Sequence, residues 1–560
     1  MIEITERWGL AKKGKFWLGD KEVKVPNILF LDDDDFSPPR DAEVTISTDG
    51  SADISAPETF FDVLSGESTV PSTFGYPENI GGAFLKEEGG SDKFQIIYDQ
   101  EPREEAEIYI IGNSPQMLFR SRDLFRKVTS LREKIPYHKL IYMPGIAQPQ
   151  NMALLSYLGV DLFDSISAEY FDALGVELSD WMGFPQKNSD NHQKMLEELK
   201  LIRKAIETGR IRELVESRVR SEPWQVEVLR MLDESYPKYS HGVPVTGDKV
   251  NVTTREALNR PDIQRFVTRI NYRYQPPSRS ILLLLPCSAS KPYFLSRTHS
   301  RIRQSLQGTP WTSLHEIILT SPLGAVPREL EMFYPAKQYD IPVSKNWFGD
   351  ERSLILEQLN SIIDKGDHQH VISHLPPDMA FVKENIDCID TVGDRYHLDK
   401  EALQDLKKEI ISLTDDERQS VKQFLWENIR SFAVFQFGVE AGKKLLEDAS
   451  IKGRYPEYRI MEEGTQLGMM VSERGLISLT IEGAEKILET GEYHAEIDDF
   501  RPKGSVFAVG VNNADEKIHP DDEVILVHEG ELRGVGPASM SGLEMIDAER
   551  GEAVRVRHYV

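Results

Sequence analysis

Cysteine is scarce in this chain of 560 residues, which has Cys287 and Cys388 and no others. Two thiols so far apart exclude a disulfide framework and a clustered thiolate site for zinc or iron–sulfur, and such low usage suits a reducing compartment. Long apolar runs are also missing: none approaches the roughly 18 residues of a membrane-spanning helix. Met1–Lys15 carries Glu3 and Glu6 where a signal peptide needs an apolar core. A cytoplasmic protein with no membrane partner is expected. The third absence is local. The formal charge is −26, yet no Asp or Glu occurs between Asp262 and Glu316, where the chain's average of 92 acids in 560 residues predicts about nine.

That acid-free window holds Arg265, Arg269, Arg273, Arg279, Lys291, Arg297, Arg301 and Arg303, with Tyr272 and Tyr274 interleaved. Such a positive field suits a phosphate-bearing partner, and aromatics stack on bases. At its centre the apolar run Ile281–Leu285 reads as a buried strand that Pro286 ends, delivering a polar loop at the strand's carboxyl end, where open α/β sheets bind ligands. The loop brings a thiol (Cys287), an amine (Lys291), a phenol (Tyr293), a hydroxyl (Ser296) and an imidazole (His299) into one short segment, the side chains that covalent and acid–base chemistry use.

The spacing Pro286-Cys287, then Lys291-Pro292-Tyr293, Ser296 and His299 resembles the signature of the archaeosine synthase family, archaeal tRNA-modifying relatives of tRNA-guanine transglycosylases. Leu319-Thr320-Ser321-Pro322-Leu323-Gly324 and Val326-Pro327-Arg328-Glu329-Leu330-Glu331 extend the likeness. Nearer the N-terminus, Tyr142-Met143-Pro144-Gly145-Ile146 and Gly159-Val160-Asp161-Leu162-Phe163-Asp164-Ser165 resemble the late strands of the transglycosylase barrel, in which the aspartate matching Asp164 is the base-exchange nucleophile. The transglycosylases' cysteine-rich zinc site has no counterpart here, and the arginines that follow their aspartate are replaced by Ile-Ser-Ala-Glu-Tyr. Asp164 is therefore expected to be a structural or vestigial carboxylate rather than a nucleophile. Ser505–Val511, with Asp522-Glu523-Val524 and Gly534-Val535-Gly536, resembles the PUA domain, an RNA-binding module. Residues 493–560 carry seven Lys or Arg against fourteen Asp or Glu, so RNA contact is expected through shape and a few residues such as Arg555 and Arg557.

A multidomain α/β protein is expected. Residues 1–245 form a TIM-barrel-like, transglycosylase-like domain, with strands at Ala106–Ile111, Lys139–Met143 and Val160–Phe163 and helices at Asp190–Ile211 and Pro223–Leu232. Residues 246–395 form the α/β signature domain, 396–492 an α+β bridging domain, and 493–560 a small β-barrel PUA domain. In the bridging domain Thr414 and Glu417 read as a capping box, before a core stripe of Val421, Phe424, Leu425, Ile429 and Phe432. Three metal or nucleotide motifs are discounted. Asp32–Asp35 lacks the spaced ligands of a calcium loop. His368, His370 and His374 alternate on one strand too widely to share an ion. Gly438–Lys444 is one residue short of a phosphate loop and lacks its Ser or Thr. No metal or cofactor is assigned.

The resemblance implies a transferase that adds an amine, L-lysine or alternatively glutamine-derived nitrogen, to the nitrile of 7-cyano-7-deazaguanine already present in the D-loop of archaeal tRNA. A radical-SAM partner subunit then releases archaeosine; this chain lacks the cysteines for that cluster. On this reading Cys287, Lys291 and His299 are catalytic, and Pro286, Pro292, Tyr293, Ser296 and Asp164 contact substrate. Arg297, Arg301, Arg303, Arg555 and Arg557 contact RNA. Base exchange at Asp164 and a non-catalytic tRNA-binding scaffold are the alternatives.

Overall fold

The run Asn27–Leu31 is buried at every position, which a strand achieves only where both faces of its sheet are covered. It lies in the first of two compact units in a computed structural model that describes residues 2–560 apart from 19, 33–36, 48–52, 56–92, 113, 187–189, 343–345 and 415–418. The first unit comprises residues 1–243 with 507–511 and 540–553, the second residues 244–506 with 512–539 and 554–560.

In the first unit β1 (Ile2–Trp8), β2 (Ala11–Leu18) and β3 (Lys21–Val25) form an antiparallel sheet. Strands β4 (Asn27–Leu31), β5 (Val44–Ser47), β6 (Ile54–Ser55), β7 (Phe94–Ile97), β8 (Ile108–Ile111), β9 (Leu140–Tyr142) and β10 (Leu162–Asp164) form a curled parallel half-barrel in the order β6-β5-β4-β10-β9-β8-β7. Alternate residues feed two cores, as strand periodicity requires. Ile28, Phe30, Ile141 and Phe163 pack with Leu124, Leu154 and Leu199 of the surrounding helices. Leu29, Leu31, Leu140 and Leu162 pack with Ile4, Phe16 and Val23 of the three-stranded sheet. The expected strands are present with ends shifted by one or two residues. The expected helix Asp190–Ile211 is two helices, Asn191–Glu207 and Ile211–Arg218, because Gly209 takes a left-handed conformation (φ 67°) that ends the first. A hairpin of β11 (Val176–Leu178) and β12 (Gly183–Pro185) follows the half-barrel. Of the acidic run Asp32–Asp35, all but Asp32 lies outside the described residues.

In the second unit β13 (Val250–Asn251) pairs with the later β17 (Tyr339–Asp340). The main sheet runs β16 (Gly324–Pro327), β15 (Leu314–Thr320), β14 (Ile281–Pro286), β18 (His370–Ser373), β19 (Ile389–Asp390). Every residue of β14 is buried, and its parallel neighbours β15 and β18 lie on opposite sides of it. The chain leaves β14 to one side and later returns to the other, so the carboxyl end of β14 is a topological switch point. Ile302, Leu306, Leu406 and Ile410, from the helices Arg297–Ser305 and Lys400–Leu413 and the residue after the first, cover one face of the strand.

The helix Val421–Phe437 starts at Ser420, whose hydroxyl accepts from Gln423 N, so the cap lies six residues beyond the expected Thr414; Glu417 is outside the described residues. The apolar stripe is buried at Ile429 and Phe432, while Val421 is exposed. Gly442, in the segment resembling a phosphate loop, is explained by packing: a Cβ there would lie 2.4 Å from the backbone nitrogen of Val434. The antiparallel strands Ser450–Arg454, Glu457–Glu462, Thr465–Val471 and Leu476–Leu479 follow in one sheet. Beyond them His494–Ile497, Glu523–His528, Glu531–Pro537 and His558–Tyr559 lie in that order in one sheet. No helix among the described residues is long and apolar enough to cross a membrane.

Candidate functional site

Register builds the site. Pro286 ends β14 opposite Leu319, and Cys287 N–H donates to Leu319 O at 3.2 Å. This places the first loop residue beside the end of β15, where Thr320 is buried and hydrogen-bonds the Cys287 side chain. Thr320 Oγ1 also bonds the Tyr339 hydroxyl, which bonds the Tyr293 hydroxyl. Tyr293 and Tyr339 are buried, and burial pushes both phenols up, so they stay protonated. A hydroxyl chain thus ends at the thiol. Lys291 Nζ sits 4.0 Å from the centre of the Tyr339 ring, a cation–π contact that holds the ammonium over the same platform.

Cys287 is exposed as a residue, yet the protein atoms around its sulfur push the thiol's pKa up; Thr320 and the Lys291 charge pull it partly back. Partial burial lowers the Lys291 pKa against the opposing pull of Cys287. At neutral pH the resting thiol is protonated, beside an amine that gives up its proton more readily than usual. Alkylation of Cys287 by iodoacetamide should therefore rise with pH to a midpoint above the ordinary thiol value of about 8.5. Lys291→Gln should raise that midpoint further. Peptide-level mass spectrometry, with Cys287 and Cys388 read separately, checks both; a midpoint unmoved by Lys291→Gln would show that the ammonium does not act on the thiol.

The remaining signature residues build the loop. His299 was expected to move protons, but it is fully buried with both ring nitrogens occupied: Nδ1 accepts from Arg328 Nη2 at 2.7 Å and Nε2 donates to Pro286 O at 3.0 Å. Burial pushes its pKa down to about 2, with Arg328 adding to the effect. The imidazole is neutral and acts as a brace on the residue before Cys287. Ser296 caps the helix Arg297–Ser305 by accepting from His299 N, and Pro292 is half-buried between Lys291 and Tyr293.

Residues given no role in the sequence reading hold this loop. Arg328 donates to Glu316 at 2.8 Å and Glu331 at 3.0 Å as well as to His299. Glu331, fully buried, also accepts from Phe294 N at 2.9 Å and Tyr455 O–H at 2.7 Å. Thr320, Tyr339 and Tyr455 reach the loop from β15, from the β13–β17 ladder and from the turn between Ser450–Arg454 and Glu457–Glu462.

The acid-free window proves to be partly interior. Arg265, Arg269 and Arg279 are buried: Arg265 donates to Pro244 O, Arg269 lies over the Phe333 ring, and Arg279 pairs with Glu427. Arg273 donates to Tyr493 O–H. Arg303, half-buried, donates to Phe294 O at 2.6 Å, and Arg301 is exposed with a bond to Leu398 O. Arg297 is exposed. Arg555 is exposed, whereas Arg557 pairs with Glu523.

His374 bonds Thr391 and His397 O, while His368 stacks on His315. Among the described residues no three His, Cys, Asp or Glu side chains are grouped to hold a metal. In the first unit Asp164 is fully buried and accepts from Tyr142 O–H at 2.7 Å, Gly145 N at 2.9 Å and Ile166 N at 3.1 Å. Burial raises its pKa to about 6 against those bonds. This carboxylate is enclosed and held by three donors, the bonding of a structural post.

Residues 263–410 match a family described as a domain of unknown function, residues 427–493 the patch-forming domain C2 of tRNA-guanine transglycosylase, and residues 498–560 the PUA domain. An archaeosine synthase subunit alpha of Methanosarcina acetivorans is 34% identical over 500 residues, covering 81% of this chain and 80% of that protein. One of Thermoplasma acidophilum is 33% identical over 491 residues, covering 86% and 94%. A tRNA-guanine(15) transglycosylase of Methanobrevibacter smithii is 26% identical over 518 residues, covering 82% and 73%.

Proposed function

This chain belongs to the archaeosine synthase family, and from that membership we propose that it is a transferase that adds an amine to the nitrile of 7-cyano-7-deazaguanine in tRNA. L-lysine is the proposed donor, and glutamine-derived nitrogen is the alternative. A radical-SAM subunit is the proposed partner for the later release step. The observation that carries this reading is the single exposed thiol of the signature, at the switch point of the second unit's sheet, with a hydroxyl and an ammonium acting on it.

In the proposed route the Cys287 S–H adds across the C≡N bond. A C–S bond forms, one π bond of the nitrile breaks, and the thiol proton ends on the nitrile nitrogen, giving a thioimidate. The neutral donor amine then attacks the same carbon; the C–S bond breaks and the departing sulfur regains a proton from the amine. The product is an amidine, the cysteine is regenerated, and no oxidant or reductant is consumed. Two easier steps replace one hard addition. Lys291 favours the thiolate in both steps, and His299 positions the loop without exchanging a proton.

Arg297, Arg301 and Arg555 are the proposed tRNA phosphate contacts, and the division at 245, 395 and 492 is the proposed domain plan. The enclosure of Asp164 weighs against base exchange. Incubating the protein with nitrile-bearing tRNA and isotopically labelled lysine, then weighing the nucleosides, tests the reading. A nucleoside heavier by one lysine is expected; an unchanged nucleoside with lysine and with glutamine, despite tRNA binding, would favour a scaffold.

A further inference from the structure

A cleft of about 280 Å³ opens in the first unit, and neither Asp164 nor any residue of the signature loop lines it. Two helix starts supply its polar wall: Gln150 from Pro149–Leu158, and Trp224 and Gln225 from Pro223–Glu234. All three side chains are at least nine-tenths buried, with exposures of 9%, 7% and 0%. Yet Gln150 Oε1, Gln225 Oε1 and Trp224 Nε1 have no hydrogen-bond partner among the described residues. Buried polar atoms are ordinarily satisfied, so these two acceptors and one donor are open to whatever enters the cleft.

The rim has its own peculiarity. Phe119 holds a left-handed backbone (φ 66°), unusual for a bulky side chain, and it is 51% exposed with its ring edge-on to Trp224 at 6.2 Å. The β11–β12 hairpin, which lines the cleft through Leu178, Met182 and Gly183, also exposes Trp181 and Phe184. Glu222 is the one ionisable residue among those lining the cleft, so the site offers no cation to a phosphate or carboxylate. Aromatic walls with unpaired acceptors and a donor match a flat, uncharged ring whose edge carries both kinds of group.

We propose that this cleft binds a neutral nucleobase, presented either by an unpaired nucleotide of RNA or by a free nucleoside. The proposal does not depend on the chemistry at Cys287. Calorimetric titration of the full chain with the four common nucleosides, and separately with unstructured tetranucleotides, tests it. Saturable binding of at least one probe is expected, with no gain on adding a 5′-phosphate to the nucleoside. Trp224→Phe, which keeps the ring and removes the N–H, and Phe119→Ala, at an exposed position, should each weaken binding about tenfold at unchanged melting temperature. Nucleoside binding would identify a free metabolite as the source, and tetranucleotide binding alone would identify RNA. No saturation by either probe up to millimolar concentration, or wild-type affinity in both variants, would overturn the assignment.

Discussion

Cys287→Ala is expected to lower turnover of nitrile-bearing tRNA with lysine by about a thousandfold or more while leaving tRNA affinity unchanged. The size follows from the role: without the sulfur the reaction falls back on direct amine attack at a carbon that amines in water attack slowly. The neutral affinity follows from the geometry. The residue is exposed and its backbone N–H still donates to Leu319 O, so alanine keeps the loop's bond to β15 and gives up the sulfur's contact with Thr320. Wild-type protein mixed with nitrile-bearing tRNA and no donor should also accumulate a covalent protein–RNA adduct, visible on a denaturing gel and absent from Cys287→Ala. Full turnover by the alanine variant would rule out the covalent route and leave Cys287 as loop filler. Loss of turnover together with loss of binding would instead point to a damaged loop, which the melting temperature would report.

The strand-then-loop logic of this site was legible because it is local: an apolar run stopped by proline, with reactive side chains close behind. What gathers around the thiol was not. Thr320 reaches Cys287 through parallel register, and Tyr339 arrives on a two-stranded ladder with β13; neither relation leaves a trace in the spacing of residues 286–299. The basic window misled for the same reason. An absence of acids along the chain says nothing about Glu427 beside Arg279 or Tyr493 beside Arg273, which lie far downstream in sequence. His299 is the converse case. An imidazole in a reactive segment reads as an acid or base, and only its two partners, Arg328 and Pro286 O, reveal a neutral strut. In the first unit the alternation of strands and helices exposed the half-barrel, whereas the Gln150–Trp224–Gln225 cleft depends on two helix starts brought together by folding.

The largest stability effect is expected at Arg328. Its guanidinium joins Glu316, Glu331 and His299; burial draws its pKa down, but the two carboxylates hold it above the ordinary value. Arg328→Met would leave Glu331, fully buried, without its counter-charge, and breaking a buried pair from one side typically costs about 3–5 kcal/mol. Glu316 is partly exposed, so water takes over part of its solvation and it contributes less. Thermal unfolding should show the loss, and Arg328→Met with Glu331→Gln should recover part of it, because the stranded charge is then gone and the amide oxygen can still accept from Phe294 N. The same substitution should reach the thiol. His299 would lose the donor at Nδ1 that fixes its tautomer, Pro286 O would lose a rigid partner, and the pH profile of Cys287 alkylation should shift even in the stabilised double variant. A wild-type melting temperature in Arg328→Met would show that the network carries little of the fold. An unshifted alkylation profile in the double variant would show that the brace stops short of the reactive loop.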